Sequence, residues 1–246
     1  MFTIDLAGLS IKIDNKYPYV RQLCGDYIVT DSAPYLNPDI EVCATDEQIS
    51  LEADTSPYTS SLPYSESICI YRAICSKLPD FDAFLLHAAV VEVDGLAYAF
   101  AAPSGTGKTT HITLWKKFFG DRANIINGDK PIIRFENGTP YIYGTPWCGK
   151  EGYNINTKAP LAALCFIERS PENTIHSFEG QQMIGRLMGQ ILLPHDADDV
   201  LKLASLLDRT VRQVPCYLLG CNMDVQAAEV AYNGMRPGGT AGGCHE

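Results

Sequence analysis

Hydrophobic residues recur along the chain with two periods, one typical of strands and one typical of helices. Near the N-terminus, alternation of apolar and polar positions predicts short strands over residues 2–6, 9–13 and 40–43. Residues 66–78 carry apolar side chains at helical spacing and predict a helix, with Ser65 as its N-cap and Pro79 as its stop. We therefore expect residues 1–80 to form a β-rich segment packed on the core of the protein.

The middle of the chain predicts a hairpin followed by a helix. Two apolar runs, 85–93 and 96–101, are joined by Asp94 and Gly95, a dipeptide that favours the positive φ angles of a two-residue hairpin turn. Residues 109–119 then repeat apolar side chains at helical spacing. The apolar face of this helix is expected to consist of Ile112, Trp115, Phe118 and Phe119.

Strands and helices alternate through the rest of the chain. The pattern predicts strands over residues 124–127, 131–136, 139–143, 161–167 and 216–220, of which 131–136 and 139–143 form a second hairpin over Asn137-Gly138. It predicts helices over residues 179–192, 197–211 and 225–232. Asp224 is expected to cap the last helix, and the Gly- and Pro-rich residues 236–246 to form a flexible tail. Residues 81–235 are thus expected to form one α/β domain.

Composition and charge exclude several classes of function. The chain has 246 residues and a formal net charge of −10, which disfavours binding to nucleic acid or to an anionic membrane surface. Its longest apolar runs are far shorter than the ~20 residues that cross a bilayer, and its first residues lack the basic start of a signal peptide. Nine cysteines, an odd number with no CxxC spacing, indicate reduced thiols in a cytoplasmic protein.

A glycine-rich run carries the strongest chemical signal in the sequence. It consists of Ser104, Gly105, Thr106, Gly107, Lys108, Thr109 and Thr110. Glycines let successive backbone N–H groups turn inward around an anion, and the following helix directs its N-terminus at the same point. Lys108 is expected to reach the β and γ phosphates of a nucleotide, and Thr109 to offer its hydroxyl to Mg²⁺. Ala102 stands where the full pattern has glycine. The alternative to a phosphate-binding loop is a glycine-rich turn that binds nothing.

Two further residues are expected near that run. Register through the first hairpin turn places His87 opposite Ala102, where an imidazole can contact a phosphate oxygen or a carboxylate. Asp129 follows the buried strand 124–127, at the edge of the sheet where ligands bind in α/β proteins. Its carboxylate can hold Mg²⁺ or accept a proton from an acceptor hydroxyl. The alternatives are a core histidine and an aspartate that caps its own turn.

Residues 144–152 are rich in Gly and Pro and follow a predicted strand. They are expected to bind the acceptor, to form a lid, or to form an ordinary loop around a packed Trp147. The charged residues nearest this segment are the candidates for contacting a substrate. They are Lys130, Lys150 and Glu151.

Four segments together resemble the superfamily of HPr kinases and ATP-type phosphoenolpyruvate carboxykinases. They are Leu86-His87-Ala88-Ala89, Asp94-Gly95, residues 104–110 and Asn127-Gly128-Asp129. The compact size is closest to small HPr kinase-like proteins, and the resemblance covers about residues 84–152. It implies an α/β fold in which a mixed sheet surrounds the phosphate-binding loop (P-loop), residues 104–110. It also implies that Lys108 binds phosphates, that Thr109 and Asp129 lie near the metal, and that His87 supports the phosphate or the metal. Gly128 departs from the family, because HPr kinases have an aspartate there as well.

The resemblance and the motifs lead to two hypotheses. The first is an ATP- and Mg²⁺-dependent kinase, with Asp129, His87 and Lys108 as catalytic residues and a hydroxyl acceptor, either a small molecule or a serine of a peptide or protein. The second is an inactive nucleotide-binding module that serves as a partner or regulator, which the glycine at position 128 favours. The resemblance also implies homo-oligomers, because HPr kinases assemble. The sequence does not choose between ATP and GTP.

Overall fold

The computed structural model describes residues 1–30, 37–56, 60–194 and 196–243. The chain divides into two compact units, Met1–Leu78 and Pro79–Glu246. Within the described residues, no helix is long and apolar enough to cross a membrane. Six of the cysteines in that part of the chain are buried, whereas Cys43 is exposed.

In its described residues, the N-terminal unit combines a three-stranded sheet with three helices. Its strands, β1 (Phe2–Leu6), β2 (Leu9–Asp14) and β3 (Ile40–Cys43), confirm the three predicted runs. β1 pairs with β2 in antiparallel orientation, and β3 lies parallel to β2. The helices are α1 (Pro18–Leu23), α2 (Asp46–Thr55) and α3 (Leu62–Lys77). The prediction of a β-rich segment is therefore wrong, because more of these residues lie in helices than in strands.

Helix α3 begins one turn earlier than predicted, so Ser65 is not its N-cap. Pro63 lies in the first turn, where a missing N–H costs no hydrogen bond. Ser65 and Glu66 are fully buried. The Glu66 carboxylate accepts hydrogen bonds from the backbone N–H groups of Lys16, at 2.5 Å, and Tyr17, at 3.0 Å. A remote carboxylate thus satisfies the backbone just before α1.

The C-terminal unit is built on a ten-stranded mixed sheet. Its strands are β4 (Ala83–Leu85), β5 (Ala88–Val93), β6 (Leu96–Ala101), β7 (Ala123–Asn127), β8 (Ile132–Glu136), β9 (Thr139–Tyr143), β10 (Lys158–Arg169), β11 (Thr174–Phe178), β12 (Cys216–Cys221) and β13 (Gly242–Gly243). The order along the sheet is β13-β11-β12-β10-β6-β5-β7, and β9, β8 and β4 extend from the start of β10. β10 is parallel to β6 and β12, whereas β5 is antiparallel to β6 and β7. The mixed sheet that the resemblance implied is therefore present.

The predicted hairpins form with the predicted turns. Asp94 and Gly95 have φ angles of 53° and 81°, and Asn137 and Gly138 have 49° and 85°. β5 pairs with β6 in the register deduced from the turn, with Val91 opposite Tyr98 and Ala89 opposite Phe100. The run 85–93 is not one strand, however. Its first residue ends β4, which pairs with β8, and β5 begins only at Ala88.

Helices cover both faces of the large sheet and create two cores. They are α4 (Lys108–Phe119), α5 (Gly180–Met188), α6 (Ala197–Gln213) and α7 (Gln226–Met235). α4 and α7 pack on one face, and α5 and α6 pack on the other. In α4, Ile112 and Trp115 are fully buried as predicted, but Phe118 is 41% exposed and does not belong to the buried face. His111 takes that place and accepts a hydrogen bond from Trp115 Nε1 at 3.0 Å.

Three details of the C-terminal region differ from the sequence-based expectation. Asp224 does not cap α7 with its side chain, since the residue before that helix is Val225. The pattern did not indicate β11, which pairs with β12 in antiparallel orientation. The expected flexible tail contains β13, a two-residue strand parallel to β11.

Candidate functional site

The glycine-rich loop, residues 102–107, connects the end of β6 to the start of α4. Gly105 and Gly107 have φ angles of 78° and 122°, which only glycine adopts without strain. The Gly107 carbonyl accepts the N–H of His111 at 2.9 Å, so the loop leads directly into the helix. Ala102 is fully buried, and it enters the loop without requiring a positive φ. The departure from glycine at this position therefore does not disturb the turn.

Lys108 is buried at the start of α4 and points back across the loop. Its ammonium donates a hydrogen bond to the Ala102 carbonyl at 2.9 Å and lies 3.1 Å from His87 Nε2. Burial lowers the pKa of Lys108, the charge of Asp129 partly opposes this, and the charge of Lys130 adds to it. Anionic phosphates would favour the charged form of this amine. The geometry therefore suits a lysine that exchanges a backbone partner for a phosphate.

His87 lies between β4 and β5 and reaches the same point as Lys108. Its backbone N–H donates to the Gln190 carbonyl at 2.7 Å, which fixes the main chain just before β5. Its Nε2 is 3.0 Å from Asp129 Oδ1 as well as 3.1 Å from Lys108 Nζ. One nitrogen cannot donate to the carboxylate and accept from the ammonium at the same time. The contact between Lys108 and His87 is therefore one that a bound phosphate can replace at low cost.

Asp129 sits in a tight turn immediately after β7. Its carboxylate contacts His87 through Oδ1 and the Lys130 ammonium through Oδ2. Burial by itself raises the pKa of this carboxyl, but the hydrogen bond from His87 and the charge of Lys130 outweigh it and lower the pKa to about 2. Asp129 is therefore a carboxylate at neutral pH, available to a metal ion or an acceptor hydroxyl.

Sequence reasoning missed the residues that shape this turn. The fully buried Asn127 accepts the backbone N–H groups of Asp129, at 2.9 Å, and Lys130, at 2.7 Å, with one amide oxygen. Its Nδ2 donates to the Thr145 carbonyl at 2.9 Å, and the Thr145 hydroxyl donates to the Lys130 carbonyl at 2.7 Å. Asn side chains commonly accept a hydrogen bond from the backbone two residues on, a turn signal that could have indicated this arrangement.

Gly128 is required by a close approach of the main chain. A Cβ atom at this position would lie 2.7 Å from the carbonyl oxygen of Cys148. The Gly128 N–H donates to the Tyr153 carbonyl at 2.8 Å, and Ile155 N–H donates to Ile126 at 3.0 Å. Residues 144–155 thus pack directly on the turn, in the space that a second aspartate would need.

The other predicted site residues lie around this centre. Thr109 is half-buried in the first turn of α4, and Ser104, Gly105 and Thr110 are exposed. Lys130 contacts Asp129, whereas Lys150 and Glu151 are exposed on the loop over Gly128. Within the described residues, no three His, Cys, Asp or Glu side chains form a metal cluster. Mg²⁺ requires fewer, because it takes one or two protein oxygens together with phosphates and water, and Thr109 and Asp129 fit that donor set.

Comparison with known proteins gives similar structures but no family. No family model matches the chain, and no curated protein matches it significantly. The HPr(Ser) kinase/phosphatase from Coxiella burnetii is similar over 50% of this chain and 93% of its own, with 11% sequence identity and a TM-score of 0.30. This distant structural relationship carries no argument about activity.

Proposed function

We propose that the chain is an ATP-dependent phosphotransferase that uses Mg²⁺ and transfers phosphate to a hydroxyl acceptor, such as a serine of a peptide or protein. One observation carries this proposal. Lys108 Nζ and Asp129 Oδ1 both lie within 3.1 Å of His87 Nε2, beside a glycine-rich loop at the N-terminus of α4. An amine, an imidazole and a carboxylate are thus held together where a polyphosphate would bind.

Each residue has a role that its present contacts suit. Lys108 would leave the Ala102 carbonyl for the β and γ phosphates, and His87 would remain hydrogen-bonded to Asp129. Thr109 and Asp129 would hold Mg²⁺, which neutralises charge on the phosphates when it is bound. Phosphoryl transfer depends mainly on positioning and electrostatic stabilisation. With a pKa of about 2, Asp129 is better suited to orient the acceptor hydroxyl than to remove its proton early.

The acceptor would approach from the side of residues 144–152. Lys130 is held beside Asp129 and would be positioned to neutralise charge on the transferred group. Lys150 and Glu151 are exposed on the same loop and are available to contact the acceptor. Either a small hydroxyl compound or a peptide fits this proposal.

A specific observation supports the alternative, a nucleotide-binding module without transfer activity. Residues 144–155 fill the space beside Gly128, so Asp129 has no neighbouring aspartate to share its roles. Asp129 must then serve both the metal and the acceptor. A protein that only binds nucleotide would need the loop and Lys108 but not this carboxylate.

Transfer of the γ-phosphoryl group distinguishes the two functions. We would incubate the protein with Mg-ATP and a panel of serine peptides and small alcohols, and follow products by mass spectrometry and hydrolysis by phosphate release. The proposal predicts turnover that falls at least about 100-fold in Asp129→Asn. The matched control is Asp121→Asn, which changes a fully exposed aspartate of the same unit and should retain the turnover of the wild type. Nucleotide binding without any turnover in the wild type would favour the module.

A further inference from the structure

Arg169 contacts the glycine-rich loop from a distant part of the sequence. It is the last residue of β10, the strand that runs parallel to β6. Its Nη2 donates a hydrogen bond to the Gly105 carbonyl at 2.6 Å, and its Nε donates to the Thr106 carbonyl at 3.3 Å. Neither of the functions proposed above assigns it a role.

The two carbonyls determine which way the loop presents its N–H groups. In a trans peptide the C=O and the N–H point in opposite directions, so a donor that holds the carbonyl also orients the N–H of the next residue. The carbonyls of Gly105 and Thr106 therefore fix the N–H groups of Thr106 and Gly107. Thr106 N–H donates to the Pro103 carbonyl at 3.2 Å within the loop. The N–H of Gly107 is thus the one that the contact of Arg169 with the Thr106 carbonyl can orient for a ligand.

We infer that Arg169 is a positioning residue that holds the glycine-rich loop in its phosphate-binding conformation before a ligand arrives. The inference rests on the proposed function, because it takes a polyphosphate as the ligand. A preformed loop avoids the entropy cost of ordering these peptides at the moment of binding. Because the guanidinium is planar and carries several donors, it can bond two consecutive carbonyls, which a single ammonium does less well. The cation also lies beside the loop and adds to its positive potential.

Backbone dynamics of the ligand-free protein test this role without any nucleotide. We would measure ¹⁵N order parameters for Gly105, Thr106 and Gly107 in the wild type, Arg169→Met and Arg169→Lys. We expect wild-type values near those of rigid backbone, about 0.85, and values falling below about 0.6 in Arg169→Met, with Arg169→Lys between them. Arg122→Met is the matched control, because Arg122 is an exposed arginine that pairs with Asp94 in the hairpin turn. Order parameters that Arg169→Met leaves unchanged would overturn the inference.

Binding measurements separate this role from direct contact with the transferred group. We would determine dissociation constants for Mg-ADP and for tripolyphosphate by calorimetry, in the wild type, Arg169→Met and Arg122→Met. Loop positioning predicts that Arg169→Met weakens both ligands by the same factor, roughly tenfold or more, while Arg122→Met changes neither. If the wild type binds these ligands and Arg169→Met binds them equally well, the inference is overturned but the proposed function is not. Failure of the wild type to bind either ligand overturns the proposed function as well.

Discussion

Asp129 shows how the site sets the charge of a single side chain. Its two carboxylate oxygens contact two different basic groups, His87 and Lys130, and its turn is held by the buried amide of Asn127. Burial works against the charge and raises the pKa, but these partners outweigh it. The folded protein therefore favours the ionised carboxylate, and this preference must appear in the dependence of stability on pH.

The first prediction concerns that dependence. The pKa of Asp129 falls from 3.8 to about 2 on folding, so its contribution to stability is present above about pH 4 and is lost as the pH falls towards 2. A difference of that size corresponds to about 2 kcal/mol. We expect Asp129→Asn to lower the free energy of unfolding by about this amount at pH 7, with the difference from wild type shrinking below pH 4. Urea unfolding followed by tryptophan fluorescence measures it, and an unchanged difference between pH 7 and pH 3 would contradict it.

His111 gives a second prediction, at a position that the site does not use directly. Its imidazole is almost completely buried in α4, and burial lowers its pKa from 6.5 to about 3. Its Nε2 accepts the Trp115 N–H, and its ring lies edge-on to Phe100 at 4.5 Å between centroids. The folded protein therefore keeps His111 neutral at pH values where the unfolded chain binds a proton.

The unfolded state binds that extra proton below pH 6.5. The contribution of His111 to the free energy of unfolding is therefore present in full above this pH and is lost as the pH drops towards 3. The expected slope from this residue alone is about 1.4 kcal/mol per pH unit. His111→Gln, which retains an acceptor for Trp115, removes the proton linkage. Between pH 6.5 and 4, urea unfolding should show that the free energy of unfolding falls less steeply with decreasing pH in the variant. The difference in slope should correspond to about one bound proton. Parallel curves for the two proteins would rule this out.

At the scale of elements, the segment 144–155 decides what the turn after β7 can contain. It donates and accepts backbone hydrogen bonds with Ile126 and Gly128, and a side chain at position 128 would meet the Cys148 carbonyl at 2.7 Å. The contact is with backbone, which cannot rotate away as a side chain can. Gly128 is therefore explained by packing, whatever its consequences for catalysis.

A pair of glycine substitutions tests this packing. Gly128→Ala should lower the free energy of unfolding by about 1–3 kcal/mol, because the added methyl group must displace the main chain of residues 144–155. Gly185→Ala is the matched control. Gly185 lies inside α5 with no atom within 4 Å of the new Cβ, so alanine should be neutral or stabilise the helix by up to about 1 kcal/mol. Equal effects of the two substitutions would show that the loop does not pack on Gly128 as described.

Local patterns predicted the elements that depend on local chemistry. Both two-residue hairpins and their register follow from Asp-Gly and Asn-Gly, because these residues adopt positive φ at little cost. The elements that were missed have weak local signals. Helix α2 has only Ile49 buried, so its sequence lacks a clear apolar face. Strand β4 is only three residues long and was merged with β5, since the break between them depends on pairing with β8 rather than on sequence.

At the scale of the whole molecule, the site collects residues that are far apart in sequence. His87 and Lys108 could be placed in one region from the register of the first hairpin, and Asp129 from its position after a buried strand and from the resemblance. Arg169 could not, since its contact with the loop 63 and 64 residues earlier depends on β10 lying beside β6. Parallel pairing leaves no turn signature in the sequence, so contacts across it are the hardest to anticipate.

Nucleotide binding tests the central claim most directly. We would measure the thermal unfolding of the wild type and of Lys108→Met, which keeps the buried stem of the side chain, with Mg-ATP, Mg-GTP and ATP without Mg²⁺. A ligand at about 100 times its dissociation constant adds roughly 2.7 kcal/mol, which should raise the Tm by about 5–10 °C.

We predict a Mg²⁺-dependent rise of that size with at least one nucleotide in the wild type, and its loss in Lys108→Met. The unliganded Tm of each protein serves as its own reference, so a change in intrinsic stability cannot imitate the loss. No rise with any nucleotide at millimolar concentration, or an equal rise in Lys108→Met, would contradict the assignment of residues 102–110 as a phosphate-binding site.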